Sequence, residues 1–235
     1  MDTVTERIRK QGFAFTRGET MRRRLEETGS LADWERFAES WDALEPDPYL
    51  AVVGRERRRR HGVFDVRLGA AAQAADRPHF QTLEHNPLQG GIERRFAPLE
   101  PEVANSDSLQ TILREGARTF APLSPPEPRW EVEVHQFRIE ARRGQSGAPT
   151  PEGVHRDGVD HVLVLMIRRV NIRKGTTSIH DAGDRRRLGA FTLAQPFDAA
   201  LVDDRRALHA VTAVEAVEAD RPAYRDVLVV TYALL

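Results

Sequence analysis

The chain contains no cysteine in its 235 residues, which removes disulfide scaffolds, thiolate zinc sites, iron–sulfur clusters and cysteine nucleophiles together. Any metal must therefore sit on imidazoles and carboxylates. Charge of one sign is also missing: 35 Lys+Arg against 36 Asp+Glu leave a net charge of -1, so no global field draws the chain to nucleic acid or to an anionic membrane. Lysine is scarce among the basic residues, a bias that gene composition explains as readily as chemistry. No apolar run approaches the roughly 20 residues that span a bilayer, and residues 1–12 mix charges with few apolar side chains. A cytoplasmic protein with a small-molecule partner, and with neither nucleic acid nor membrane, is the expectation.

What is present is enough chain for one domain with a substantial core. Met21, Leu25, Leu31, Trp34, Phe37 and Trp41 recur at helical spacing, broken near Gly29,. Residues 1–46 thus read as a helical extension and 47–235 as the core of a single domain. Asp47-Pro48 punctuates, and residues 49–68 read as a hairpin turning through His61-Gly62. The arginine-rich run 55–60 falls in that hairpin and reads as a solvated strand rather than a nucleic-acid patch. The segment 85–96, with Gly90-Gly91, is a turn-rich loop suited to close backbone approach. Residues 106–120 form a capped helix with Leu109, Ile112, Leu113 and Ala117 on one face. Beyond the prolines of 122–128 only strands follow, at 130–139, 162–170, 176–180, 199–202 and 227–234, with weaker ones near Phe191 and Val211. Helices first and strands afterwards indicate α+β, with a jelly roll or barrel as the body.

His155-Arg156-Asp157 stands directly before the strand at 162. Residues two apart at a strand end project to one side, so both side chains can reach one metal. Composition alone supplies about half an occurrence of such a tripeptide; the Gly-rich approach, the strand behind it and a later histidine give it weight. His209 follows after enough chain to cross a sandwich and return. Two imidazoles and one carboxylate on one face of a metal leave its other positions open, as in non-haem iron(II) oxygenases. Arg225 lies beyond His209 on the last strand, where a guanidinium fork suits one end of a dicarboxylate. Arg221 is the alternative, but Pro222 places it in the preceding turn.

The stretch from Gly153 to Asp160, then Asn171-Ile172, the segment from Gly175 to Asp181, Val202 to His209 and Tyr224 to Leu228 resemble the bacterial iron(II)/2-oxoglutarate-dependent dioxygenases typified by isoleucine dioxygenase. The loop from His85 to Phe96 is similar to that family's Asn-Pro, Gly-Gly, Arg segment. Most of residues 80–235 is covered, with the motifs in order; the first 45 residues share only helical character. The resemblance implies a double-stranded β-helix, a cupin-like jelly-roll core with buttressing helices. It implies iron(II) on His155, Asp157 and His209, 2-oxoglutarate on Arg225, and O₂ as the other co-substrate. Family members hydroxylate free L-amino acids, so hydroxylation of an unactivated C–H with conversion of 2-oxoglutarate to succinate is the implied activity. His161 and His180 stand where the family has an apolar residue and a tyrosine, departures that bear on the substrate rather than on the metal.

Candidate substrate contacts are Arg94 or Arg95 for a carboxylate, Asp160 for an ammonium and His135 as core or cavity wall. His161 should point away from the metal, because neighbouring strand positions face opposite sides. Desaturation or cyclisation of an amino-acid-derived metabolite could use the same iron site, and a non-enzymatic jelly-roll binding protein is the second alternative. A cupin without 2-oxoglutarate would show His-x-His, which is absent. A monomer or a homodimer fits equally.

Overall fold

The computed structural model describes residues 2–51 and 57–235. The chain opens with α1 (Val4–Gln11), β1 (Phe13–Thr16), α2 (Gly18–Thr28) and α3 (Trp34–Glu39), the last continued by a 3-10 turn at Ser40–Ala43. A capping box between Thr3 and Glu6 starts α1,. The strand β1 corrects the expectation of a purely helical N-terminal extension: it joins the large sheet, and four residues are too few to announce a strand by pattern alone,.

Next come β2 (Glu45–Pro46), α4 (Pro48–Ala51), β3 (Arg57–Arg67), β4 (Ala70–Gln73), β5 (His79–Phe80), β6 (Glu93–Arg94), α5 (Pro101–Ala104) and α6 (Asp107–Phe120). The expected hairpin through His61-Gly62 is instead one unbroken strand, β3, which turns at Leu68-Gly69 into β4. Gly62 serves packing rather than a turn, because a Cβ there would lie 2.7 Å from Leu99 Cδ1. Residues 52–56 of that expected hairpin, including Arg55 and Glu56 of the arginine-rich run, lie outside the described residues. The helix α6 matches its expectation: the Ser106 hydroxyl accepts from the Leu109 N–H, and Leu109, Ile112, Leu113 and Ala117 are buried on one face,.

The remaining elements are strands: β7 (Arg129–Ala141), β8 (His161–Val170), β9 (Ile172–Lys174), β10 (Thr176–Asp181), β11 (Arg187–Thr192), β12 (Ala199–Asp203), β13 (Ala207–Val211), β14 (Val214–Ala216) and β15 (Ala223–Leu234). The large sheet runs β1-β12-β8-β15-β7-β3-β2, with β4 added on β3, and its pairings are antiparallel. A smaller sheet, β11-β10-β13, lies across a shared cavity from it, and β9 pairs with β14. This is the jelly-roll arrangement the sequence suggested, α+β with helices on one face.

The two-residue period of a strand sorts the large sheet into two surfaces. On β15, Leu228, Val230 and Tyr232 enter the core beneath the helices, with Ile112, Leu113 and Phe120 of α6. The alternate residues Arg225, Val227, Val229 and Thr231 line the cavity. On β8, Leu163, Leu165 and Ile167 face the helices, whereas Val162 and Val164 face the cavity. A single strand thus builds the core and the site at once. Among the described residues no helix is long and apolar enough to cross a membrane.

Candidate active site

The cavity between the sheets measures about 320 Å³, at the small end of pockets that enclose metabolites. Loop 150–159 closes one side and brings His155 and Asp157 in. An isolated antiparallel bridge ties that loop to β13: the His155 N–H donates to His209 O (3.0 Å) and the His209 N–H to His155 O (2.8 Å). This pairing places His209, from a distant strand, beside the His-x-Asp tripeptide. The ligand atoms of the three side chains lie within 4.8 Å of one another, with His155 Nε2 3.6 Å from Asp157 Oδ1 and His209 Nε2 3.7 Å from Asp157 Oδ2.

Tautomer and charge suit a metal. His155 Nδ1 lies 3.0 Å from Gly153 O, so it carries a proton and Nε2 faces the cluster. Burial disfavours the imidazolium of His155, yet Asp157 and Glu152 outweigh it and lift its pKa to about 9. Burial likewise opposes the charge of Asp157, but hydrogen bonding from His155 and the field of both histidines bring it to about 2. Burial and the neighbouring His155 lower His209 to about 4. A carboxylate beside imidazoles that compete for protons is a donor set a divalent cation can satisfy.

Asp204, which sequence reading missed, anchors the loop. Its buried carboxylate accepts from the backbone N–H groups of Asp157 (3.1 Å), Gly158 (2.8 Å) and Val159 (3.1 Å). Burial, and then the charge of Asp157, raise its pKa to about 7 against those three bonds. Gly158 sits at φ +84° and a Cβ there would meet His85 Nδ1 at 2.4 Å, so only glycine fits this turn.

Arg225 lines the cavity and is buried at 3% exposure. Its Nε has no partner, and no described residue gives the guanidinium a carboxylate or a hydrogen bond. A buried unpaired cation is costly; an acidic ligand would relieve it. The alternative, Arg221, is exposed and pairs with Glu218 at 3.1 Å, away from the cavity.

Of the proposed substrate contacts, Arg94 and His135 line the cavity. Arg94 donates to Gln81 Oε1 (2.7 Å) and Gln89 Oε1 (3.0 Å), both neutral, and its Nε is unpartnered. Arg95 is exposed and does not reach the cavity, and Asp160 accepts from the Leu234 N–H (2.7 Å) and faces Arg205 (3.2 Å). Both expectations are corrected by strand and loop geometry that turns these side chains away. His161 stacks on Phe120 of α6 at 4.5 Å between centroids, on the helix side of β8. His180 bonds Arg185 O and Ser178 Oγ, while its neighbours Thr177 and Ile179 face the cavity. The two departures from the family pattern therefore bear on packing, not on the substrate. The arginine run divides by parity: Arg58 pairs with Glu140 and Arg60 with Glu100, whereas Arg57 and Arg59 turn into the cavity wall with Asp47. Among the described residues of the run, the solvated-strand expectation holds for Arg58, whose side chain is 44% exposed, and not for Arg57, Arg59 or Arg60 at 12%, 3% and 11%.

Comparison with known proteins agrees with this geometry. The family model for 2OG-Fe dioxygenases matches residues 38–231. A 3(1)-hydroxy-L-isoleucine 4-dioxygenase of Pantoea ananatis is 28% identical over 96% of this chain and 93% of its own. The solved structure of a bsmA homologue from Methylobium petroleophilum PM1 superposes with a TM-score of 0.84 at 35% identity, covering 98% of this chain and 91% of that one. IDO from Bacillus thuringiensis shares the fold at 16% identity and a TM-score of 0.76, over 99% and 98% of the two chains.

Proposed function

The chain belongs to the 2OG-Fe dioxygenase family, and we propose that it hydroxylates an unactivated C–H of a free L-amino acid at an iron(II) centre held by His155, Asp157 and His209. The observation that carries this reading is the convergence of that triad with a buried, unpaired Arg225 on one cavity. Family membership makes the chain an oxidoreductase that uses iron(II), 2-oxoglutarate and O₂, which sets aside a purely binding role. Bound iron with these co-substrates supplies an oxidant able to take hydrogen from an aliphatic carbon, and 2-oxoglutarate leaves as succinate and CO₂.

The protein's part is placement. His155 and His209 present Nε2 and Asp157 its carboxylate from one side, leaving the other positions open to the cavity. Asp204 holds the Asp157 backbone, so the carboxylate keeps its aim when the metal is exchanged,. Arg225 takes the distal carboxylate of 2-oxoglutarate in a fork, among Ile139, Leu193 and Val227, which exclude water from it,. Arg94 takes the substrate's carboxylate. The Pantoea relative is named for a hydroxylated isoleucine, which supports an aliphatic amino acid here. We infer action in the cytoplasm, where ferrous iron and 2-oxoglutarate are met, by a monomer or homodimer formed of one catalytic domain.

The test is succinate formation with iron(II), ascorbate and a panel of L-amino acids, with the products weighed. Gain of one oxygen is expected; loss of two hydrogens would assign desaturation or cyclisation at the same site. Absence of succinate with every amino acid would reject the substrate class. His155→Ala and Asp157→Ala should each abolish turnover and iron binding, and retention of both would overturn the ligand assignment.

A further inference from the structure

A second group of side chains converges on the cavity wall built by β3, β5 and β7. Glu133 and His135 stand two apart on β7, and His61 lies opposite His135 in the β3–β7 register. One oxygen of Glu133, Oε2, faces three rings: His61 Nε2 at 3.0 Å, His79 Nδ1 at 2.5 Å and His135 Nε2 at 3.4 Å. Three imidazoles and a carboxylate can hold a metal, but two observations argue against that here. Arg59 Nη2 lies 2.7 Å from His135 Nδ1; a guanidinium only donates, so the His135 proton is on Nε2 and points at Glu133. The wall also carries Arg57, Arg59 and Arg94 against Asp47 and Glu133, and burial already pushes Arg59 well down. A divalent ion would add to a surplus of positive charge.

The cluster is instead an ionised carboxylate held in place by the three imidazoles around it. Burial alone would raise Glu133, but the bonds from His61 and His79 hold it well below the usual carboxylate range. Its second oxygen, Oε1, receives no hydrogen bond from any described residue, and both Glu133 and Arg94 line the cavity. Two opposite charges, each lacking its full set of partners, face one enclosed space. We propose that Glu133 accepts the substrate's α-ammonium while Arg94 holds its α-carboxylate, so that the cavity selects free α-amino acids over N-acylated, esterified or carrier-bound ones. This rests on the function proposed above and adds the head-group chemistry to it. His61, His79 and His135 are positioning residues that aim Oε1 by occupying Oε2.

The test is anaerobic calorimetry on the holoenzyme with iron(II) and 2-oxoglutarate. L-isoleucine is titrated against its des-amino acid, its N-acetyl derivative and its methyl ester. Loss of one charged hydrogen bond predicts weakening by about 10- to 100-fold for each altered head group. In Glu133→Gln, L-isoleucine should weaken by a similar factor while the des-amino acid keeps its affinity, which isolates the pair as a double-mutant cycle does. Equal binding of L-isoleucine and its des-amino acid by the native enzyme, which needs no variant to fold, would overturn the proposal. So would equal weakening of both ligands in Glu133→Gln, or absence of amino-acid binding. Two metal ions per chain, falling to one in Glu133→Gln, would reassign the cluster to a metal. Succinate formation tests the parent function separately: discrimination without turnover keeps the head-group site and rejects the activity, and turnover without discrimination does the reverse.

Discussion

Replacing Arg225 with methionine should make the ligand-free protein more stable and the enzyme nearly inactive. Burial first, then the charge of Arg169, bring the Arg225 pKa from 12.5 to about 10. At about 1.4 kcal/mol per tenfold change, holding this cation in the apo cavity costs on the order of 3 kcal/mol. The sign follows from linkage: the folded state binds the proton less tightly than the unfolded chain, so the penalty is present in full at every pH below about 10 and fades only as pH rises through that value,. Methionine keeps the length and apolar stem, so little cavity is created. The apo melting temperature of Arg225→Met should rise by roughly 6–12 °C for a chain of this size. Affinity for 2-oxoglutarate should fall by a factor on the order of 10² to 10³, the loss typical of truncating one side of a buried charge pair. Differential scanning fluorimetry without and with 2-oxoglutarate measures both: saturating 2-oxoglutarate should stabilise the native protein strongly and the variant little. An apo variant that melts lower than the native protein, together with unchanged 2-oxoglutarate affinity, would refute the assignment of Arg225 as an unsatisfied cation awaiting a carboxylate.

Three further outcomes follow from the same geometry. Asp204→Asn places an amide against three backbone N–H groups and should weaken iron binding by about 10- to 100-fold, read by metal titration at constant pH. Gly158→Ala must leave φ +84° or drive its Cβ into His85; activity should collapse while the helical core, probed by far-ultraviolet circular dichroism, stays folded. Burial lowers His161 to about 4, so the folded state resists protonation and stability present above pH 6.5 is lost as pH falls towards 4. The His161 share of that loss between pH 7 and pH 5 is about 2 kcal/mol, and His161→Phe should reduce the acid loss by that amount in denaturant titrations; an unchanged acid limb would place the sensitivity elsewhere.

Much of the site could be read from local pattern. The His155-x-Asp157 spacing, the β-rich second half and the position of Arg225 on the last strand follow from the period of two and from charge chemistry. The failures share one cause. Asp160 and Arg95 carry the right charge in the right neighbourhood, and only the direction of the side chain excludes them. The absence of Asp204, Glu133, His61 and His79 from the candidate set has the complementary cause, because their importance lies in partners 45 to 72 residues away. Glu133-x-His135 and Arg57-x-Arg59 did carry a usable signal: each puts two polar groups on one face of a strand.

The sequence by itself determined the chemistry available. Without cysteine it restricted any metal to imidazole and carboxylate, and strand periodicity determined which residues could share a face. Tertiary structure alone decided which face was the cavity. One residue of offset sends His161 to stack on Phe120 beneath the helices and Val162 to the cavity wall. That choice depends on α6 covering one side of the large sheet and β10 and β13 the other, a long-range packing outcome that no local window contains.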